Sequence, residues 1–325
     1  MLNSAPDRRR TGRSKSLDMI VSCGEALIDF VPQPAAGRGT AFAGFPGGSP
    51  FNVAIAVGRL GQPAAFFGGL SNDFFGDTLR RALGESNVDV TLTQAAERPT
   101  TLAFVSLDGG NARYAFFDEN TAGRMLTEAD LPALPKTVAA LHFGSLSLAG
   151  EPCGSTFEAL MRRERNDRVI SLDLNVRSTL IHNREGYLAR IDRLVAMADI
   201  VKLSEEDLAW VTPGASFEAL AERYQTLGAR VVILTKGGDG ALAAARGLKV
   251  SVPAVAVKVA DTIGAGDTFT GATLVWLARQ EKLTKAAIAA LDRDDLTALL
   301  QFAAKAAAIT VSRPGADPPW LRELA

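Results

Sequence analysis

The sequence predicts an α/β protein with a doubly wound, mostly parallel sheet, and three observations carry that reading. Short β-rich runs alternate with helical patterns along the chain, the rhythm of strand–helix–strand units. Several runs are apolar almost throughout, as strands are when helices cover both faces of a sheet. Polar residues follow the runs directly, among them Asp173, Asn175, Ser204, Thr235, Lys236 and Asp261. Open α/β sheets bind ligands at the carboxyl ends of their strands, so one site assembled from distant segments is expected.

Taken in order, the chain opens with a polar stretch, 1–18, that carries Arg8, Arg9, Arg10, Arg13 and Lys15. It lacks the apolar run of a secretory signal and reads as a basic disordered extension, with Met19 an alternative start and 19–325 the folded domain. Strands are expected at 19–23, 64–68, 139–143, 169–174, 200–203, 231–234 and 248–252, with a further strand-like run at 255–259. Helices are expected at 50–60, 76–86, 155–165, 184–197, 205–210, 217–227, 268–280 and 296–310. The first helix has clear punctuation: Ser49 suits the N-cap, Pro50 the first helical position, Val53, Val57 and Leu60 the core face, and Gly61 the stop. Two segments break the rhythm. Runs at 100–107 and 112–117 flank Asp108-Gly109-Gly110-Asn111, a hairpin signal, and 30–45 is extended and rich in glycine. On pattern alone they read as surface hairpins as well as they read as a small β lid.

Composition narrows the function. The 325 residues, 47% of them hydrophobic, provide for one large domain or two small ones. Lys and Arg number 35 against 36 Asp and Glu, and a net charge of −1 gives no support for a nucleic-acid partner. No apolar run is long enough for a membrane-spanning helix. Cys23 and Cys153 make no disulfide framework, and no His/Cys cluster has zinc-ligand spacing.

The chemistry concentrates in Asp261-Thr262-Ile263-Gly264-Ala265-Gly266-Asp267. Gly264, Ala265 and Gly266 let backbone N–H groups turn inward, and they end at a helix start that favours an anion. Asp267, beside that anion site, is badly placed to hold phosphate and well placed to take a proton from an attacking hydroxyl. The pattern suggests phosphoryl transfer to an alcohol. A tight turn ending in an N-cap carboxylate is the bland alternative. Asp29 lies among apolar neighbours, where two sugar hydroxyls or an ion pair would satisfy it. Gly47 and Gly48 allow close approach to a ligand, and Asn52 offers both donor and acceptor, unless the segment is only a helix-entry turn. Asp173-Leu174-Asn175-Val176-Arg177 ends a buried strand, and Arg177 is a fixed cation for sugar or phosphoryl oxygens or for a structural carboxylate.

The Asp261–Asp267 heptapeptide closely resembles the catalytic signature of the ribokinase-like (PfkB) carbohydrate kinases. The Gly47-Gly48-x-x-x-Asn52 pattern resembles that family's first signature, and the segment ending in Arg177 resembles fructokinases and ketodeoxygluconate kinases. The resemblance runs from about Val21 to Trp320. It implies an α/β sheet with a β lid from segments near 30–45 and 98–121, often paired into a homodimer through the lid, in a cytoplasmic enzyme. It implies a sugar held by Asp29, Gly47, Gly48, Asn52, Phe104, Asn175 and Arg177, with Asp267 as base and Gly264, Ala265 and Gly266 as anion hole. ATP is expected against Lys202, Ser204, Thr235, Gly237, Gly240, Gly266 and Ala304. In Lys202-Leu203-Ser204-Glu205-Glu206-Asp207, Ser204 replaces the usual asparagine and Asp207 the usual glutamate; Glu205 or Asp207 would organise Mg²⁺ through water. Ala304 stands where the family has an adenine-side asparagine. A K⁺-type ion is expected near Asp261, Ile263 and Gly315.

Ketodeoxygluconate kinases carry a lid cation for the substrate carboxylate, whereas this chain has Asp118-Glu119-Asn120 there. These acids favour a neutral ketohexose, and fructose 6-phosphorylation is the first expectation. Arg113 and Arg124 lie near enough to weaken that argument. 2-Keto-3-deoxygluconate, ribose and nucleosides are the alternative acceptors, since Phe104, Tyr114, Phe116 and Phe117 would either stack a base or form lid or dimer core. A non-catalytic sugar-binding protein on the same fold is the reading from a different class.

Overall fold

A computed structural model of the chain describes residues 18–34, 39–108 and 111–324. The expected extension at 1–17, the stretch 35–38 and the hairpin glycines Gly109 and Gly110 lie outside the described residues. The strands are β1 (Met19–Cys23), β2 (Leu27–Gln33), β3 (Ala41–Gly47), β4 (Ala64–Phe67), β5 (Gly69–Ser71), β6 (Val88–Asp89), β7 (Gln94–Ala96), β8 (Thr101–Asp108), β9 (Asn111–Phe117), β10 (Val138–Gly144), β11 (Val169–Asp173), β12 (Ile200–Ser204), β13 (Val231–Thr235), β14 (Ala241–Ala245) and β15 (Leu248–Val252). The helices are α1 (Ser49–Arg59), α2 (Phe74–Glu85), α3 (Cys153–Glu164), α4 (Arg184–Val195), α5 (Glu205–Val211), α6 (Phe217–Leu227), α7 (Ala265–Arg279), α8 (Lys285–Ala289) and α9 (Arg293–Val311).

Nine strands form the main sheet in the order β15-β14-β13-β12-β11-β10-β1-β4-β6. Pairing is parallel from β13 to β6 and antiparallel across β13, β14 and β15. One apolar layer packs α1, α2, α7, α8 and α9 through residues such as Phe51, Leu79, Leu274 and Leu299. The opposite layer packs α3, α4 and α6 through Phe157, Leu160, Ile191 and Leu220. Each such buried side chain stabilises the fold by ~1.5–3 kcal/mol. Helices on both faces explain why the central strands read as near-continuous apolar runs.

Two helices matter most for the site. α1 and α7 lie side by side, and a Cβ added at Gly271 would sit 2.8 Å from the Ala56 methyl. Glycine at 271 therefore allows the close approach, which brings the N-termini of both helices to one place.

A separate four-stranded sheet, β3-β2-β8-β9, forms the lid anticipated near 30–45 and 98–121. Its register decides which side chains face inward. Asp29 pairs with Ala103 and Phe45, and Ala103 with Phe116, so these share one face. Phe30 pairs with Phe104 and Gly44, which places Phe104 on the other face.

Several expectations need correction. The run 255–259 is not a strand: Val255, Val257 and Val259 are exposed in irregular chain. It follows Pro253 past the last strand of the sheet and finds no ladder to join, and β propensity is a preference for a half-buried pleated surface. β14 went unread because Ala241–Ala245 carries only alanine and leucine, without the β-branched signal. The cap of α1 is Gly48, with φ 106 and no side-chain cap bond, so Ser49 is the first helical residue rather than the cap.

Candidate active site

One cavity of about 660 Å³ opens where the lid meets the carboxyl ends of the strands and the start of α7. Asp29, Gly48, Asn52, Arg177, Lys202 and Asp267 all line it, together with Gly264, Gly266 and Asn175. Residues from opposite ends of the chain thus meet in one place, as the polar strand ends suggested.

Asp267 is the third residue of α7 and is 7% exposed. Its Oδ1 accepts the Ser49 hydroxyl at 2.6 Å and its Oδ2 accepts Asn52 Nδ2 at 2.8 Å. Burial pushes its pKa from 3.8 up to about 6, against the downward pull of those two donors. It remains charged at neutral pH and is basic enough to take a proton. Gly264 begins the helix in left-handed geometry, φ 75, and a Cβ there would meet Ala316 at 2.6 Å. Only glycine fits both the dihedral and the space. The N–H groups of the first turn lack intrahelical partners and carry the positive end of the helix dipole.

Asp29 is half-buried on the inner face of the lid and accepts no hydrogen bond among the described residues. Burial raises its pKa to about 6, Arg177 lowers it, and Asp267 and Glu25 raise it. A carboxylate so placed is ready for hydroxyl donors. Gly47 makes that position accessible, since a Cβ at 47 would lie 2.2 Å from Asp29 Oδ2. Arg177 is oriented by the side chain of Asn175, which accepts its Nη1 at 2.6 Å. Asn175 itself holds φ 35, a conformation asparagine tolerates better than most residues. Lys202 and Asp173 form a buried pair at 2.8 Å, and Thr270 donates to the same Asp173 oxygen at 3.1 Å. Burial pulls the Lys202 pKa down, but the charge and hydrogen bond of Asp173 outweigh it and hold it above its ordinary value. Its ammonium lies 2.9 Å from where a Gly266 Cβ would stand, beside the start of α7.

Other expected residues fall differently. Phe104 does not line the cavity: it stacks on Phe30 with centroids 4.7 Å apart on the lid's outer face, and Tyr114 and Phe116 face inward instead. Asp207 is a capping residue. Its Oδ2 accepts Ser204 N–H and Oγ–H, its Oδ1 accepts Val176 N–H, and it does not line the cavity. Ser204 is the N-cap of α5. Glu206, not Glu205, reaches the cavity, and Glu205 pairs at 3.8 Å with Lys236. Thr235 is half-buried at the end of β13, ahead of the Gly237–Asp239 turn, and Gly240, φ 98, is pressed against Val252 O. Ala304 packs against the core from α9. Asp261 joins two loops, its Oδ1 accepting Ile263 N–H at 3.0 Å and its Oδ2 Gly315 N–H at 2.9 Å, so the three residues expected around a monovalent ion are neighbours. The repulsion argument from the lid acids does not hold. Asp118 is ion-paired with Arg124, and none of Asp118, Glu119 and Asn120 lines the cavity.

Sequence reading missed Glu25, Ser49 and Ser147 as partners of the site residues. Glu25 is 5% exposed; its Oε1 accepts Ser49 N–H at 3.2 Å and its Oε2 accepts Ser147 N–H at 3.1 Å and Oγ–H at 2.7 Å. The available signal was an acid between Gly24 and an apolar run, a place where a carboxylate must find buried donors. Among the described residues no group of three or more acids, histidines or cysteines could hold a metal by itself, and no helix is long and apolar enough to cross a membrane.

The chain is similar to known proteins in sequence and in fold. The profile of the pfkB family carbohydrate kinases matches residues 17–323. The chain is 48% identical over 278 residues to a fructokinase of Rhizobium leguminosarum bv. trifolii, covering 86% of this chain and 85% of that protein. It is similar in structure to the fructokinase of Xylella fastidiosa with bound ATP, at TM-score 0.88 and 31% identity over 95% and 97% of the two chains. It is likewise similar to the fructokinase of Vibrio cholerae O395 with bound fructose, ADP and calcium ion, at TM-score 0.80 and 30% identity over 93% and 95%.

Proposed function

Because the chain belongs to the pfkB family of carbohydrate kinases, we propose that it transfers the γ-phosphoryl group of ATP to the primary 6-hydroxyl of D-fructose. The observation that carries the proposal is the shared cavity, lined both by Asp267 in the first turn of α7 and by Asp29, whose carboxylate accepts no hydrogen bond among the described residues. The 48% identity to a protein named fructokinase supports the choice of sugar.

In this mechanism Asp29 accepts ring hydroxyls and Arg177 faces sugar or phosphoryl oxygens. Asp267 takes the proton of the 6-hydroxyl as that oxygen attacks the γ-phosphorus and the bond to the ADP oxygen breaks. The N–H groups of Gly264, Ala265 and Gly266 stabilise the charge on the transferring group. Lys202, fixed by Asp173, adds a positive charge on the same side. Thr235, Gly237 and Gly240 remain the proposed walls of the nucleotide site, with Ala304 on the adenine side. Bound Mg²⁺ would offset phosphate charge, and Glu206 is the acid placed to hold it through water. A K⁺-type ion would sit by the loops that Asp261 ties together. A cytoplasmic location goes with the ATP requirement of the proposed reaction.

A homodimer through the lid is part of the proposal. Phe42 and Phe117 are exposed on the outer face of the lid and Phe74 beside it, an apolar surface of the kind a second copy covers. 2-Keto-3-deoxygluconate is the second acceptor to test, because Arg177 can take a carboxylate. A coupled ADP-release assay with Mg²⁺ and K⁺ across fructose, ribose, 2-keto-3-deoxygluconate and nucleosides decides among them. Fructose should give the highest kcat/KM. Turnover confined to another acceptor overturns the sugar assignment, and no turnover with any of them favours a binding protein.

A further inference from the structure

We propose that Ser49 is a positioning residue for the base: its hydroxyl fixes the Asp267 carboxylate, and Glu25 fixes Ser49. The inference rests on the kinase reading above and deepens it. A serine ahead of proline at a helix start ordinarily spends its hydroxyl on capping. Here the cap is Gly48, with no side-chain cap bond, so the Ser49 hydroxyl is free of helical duty. It reaches across to α7 and donates to Asp267 Oδ1 at 2.6 Å, between partners that are 5% and 7% exposed. Asn52 stands three residues on, on the same face of α1, and holds the other oxygen. Two donors on one rigid helix thus set the plane of the carboxylate.

Glu25 closes the arrangement from behind. Its Oε1 takes the Ser49 N–H, one of the helix-start donors that has no intrahelical partner, and its Oε2 takes both donors of Ser147. Ser49 is therefore held at its backbone while its side chain holds the base. No proton moves through Ser49: its Oγ keeps its hydrogen throughout, and the sugar proton goes to Asp267. A donor to the charged form of an acid favours that form and lowers the pKa. Asp173 and Lys202 face Asp267 with opposite effects, while Glu25, Asp29, Arg177 and Glu206 complete the charged lining of the cavity. None of these is altered when the Ser49 hydroxyl alone is removed.

The test compares wild type, Ser49→Ala and Ser49→Thr by pH profiles of kcat and kcat/KM on fructose, by thermal melts, and by carboxyl-carbon NMR titration of Asp267. Ser49→Ala should lower kcat about 10–100-fold and move the acid limb and the NMR midpoint up by about half to one pH unit. Its Tm above pH 7 should fall by only a few degrees, the cost of one donor lost to the buried carboxylate. Ser49→Thr should restore both limb and midpoint. An unmoved midpoint in a folded Ser49→Ala protein overturns the inference, even if kcat falls. Should Ser49→Ala fail to fold, Ser49→Thr decides: a wild-type midpoint supports the proposal, and a raised one despite the hydroxyl overturns it. A wild type that phosphorylates no sugar sinks the kinase reading instead, and the NMR midpoint still reads the Ser49 contact.

Discussion

Replacing Asp267 by asparagine should separate rate from stability, because the burial that makes this carboxylate a base also makes it costly to the fold. The folded pKa is raised from 3.8 to about 6, first by burial. The folded protein therefore binds this proton more tightly than the unfolded chain does. The group's contribution to stability is fully present below pH 3.8 and is lost as pH rises through about 6. At pH 8 the charged form leaves a penalty of about 3 kcal/mol, from roughly two pKa units at 1.36 kcal/mol each. Asparagine removes the charge and keeps the shape. Its oxygen still accepts from Ser49, but its amide meets the Asn52 donor, a clash of ~1–3 kcal/mol unless Asn52 turns over. These terms nearly offset, so Tm at pH 8 should stay within about 5 °C of wild type. The rate should not survive. Loss of the base is expected to lower kcat about 10²–10⁴-fold, or ~2.7–5.4 kcal/mol of activation free energy, with a small change in fructose KM. Coupled ADP release and thermal melts on the same preparations measure both. A kcat within about ten-fold of wild type would remove Asp267 from the base role. A Tm that collapses would refute the burial argument.

Two further substitutions probe the surroundings of the base, beside the Ser49 series above. Gly264→Ala should raise the ATP KM and lower kcat while calorimetric fructose binding persists, because φ 75 and the 2.6 Å approach of Ala316 force the loop to shift at a cost of ~1–3 kcal/mol. An unchanged ATP KM would detach that turn from the phosphates. Gly47→Ala should raise the fructose KM about ten-fold or more with a smaller effect on kcat, since the new methyl displaces Asp29. If fructose KM stays at the wild-type value, Asp29 does not hold the sugar.

The fold was legible where periodicity and burial agree. The central strands β1, β10, β11, β12 and β13 lie under helices on both faces, so their sequences are mostly apolar and their positions could be read to within a residue or two. Local chemistry misled where tertiary context decides. Ala241–Ala245 is a strand because β13 and β15 flank it, not because alanine prefers one. The valines at 255, 257 and 259 alternate like a strand yet lie exposed in irregular chain. In the site, Asp29, Asn52, Arg177 and Asp267 could be named from motifs, but their partners could not. Whether Ser49 caps α1 or reaches Asp267 turns on a one-residue shift of the helix start, which only the dihedral of Gly48 settles. That Val176 N–H and Ser204 engage the oxygens of Asp207 is likewise invisible in the sequence. Phe104 looked like a ligand contact because side-chain type says nothing of sheet register.

The hydroxyl of Ser49 and the carboxylate it touches are 218 positions apart in the chain. A polypeptide emerging from the ribosome carries Asp29 and Ser49 early, but Asp267, the proposed proton acceptor, arrives only near the end of synthesis. If Asp267 is the base, a chain that ends before it should turn over no ATP, and activity should await docking of α1 against α7. Because that contact spans most of the molecule, it closes late and slowly compared with local hairpins. Catalytic competence during refolding should thus lag behind recovery of secondary structure, and turnover becomes a direct reporter that folding has finished.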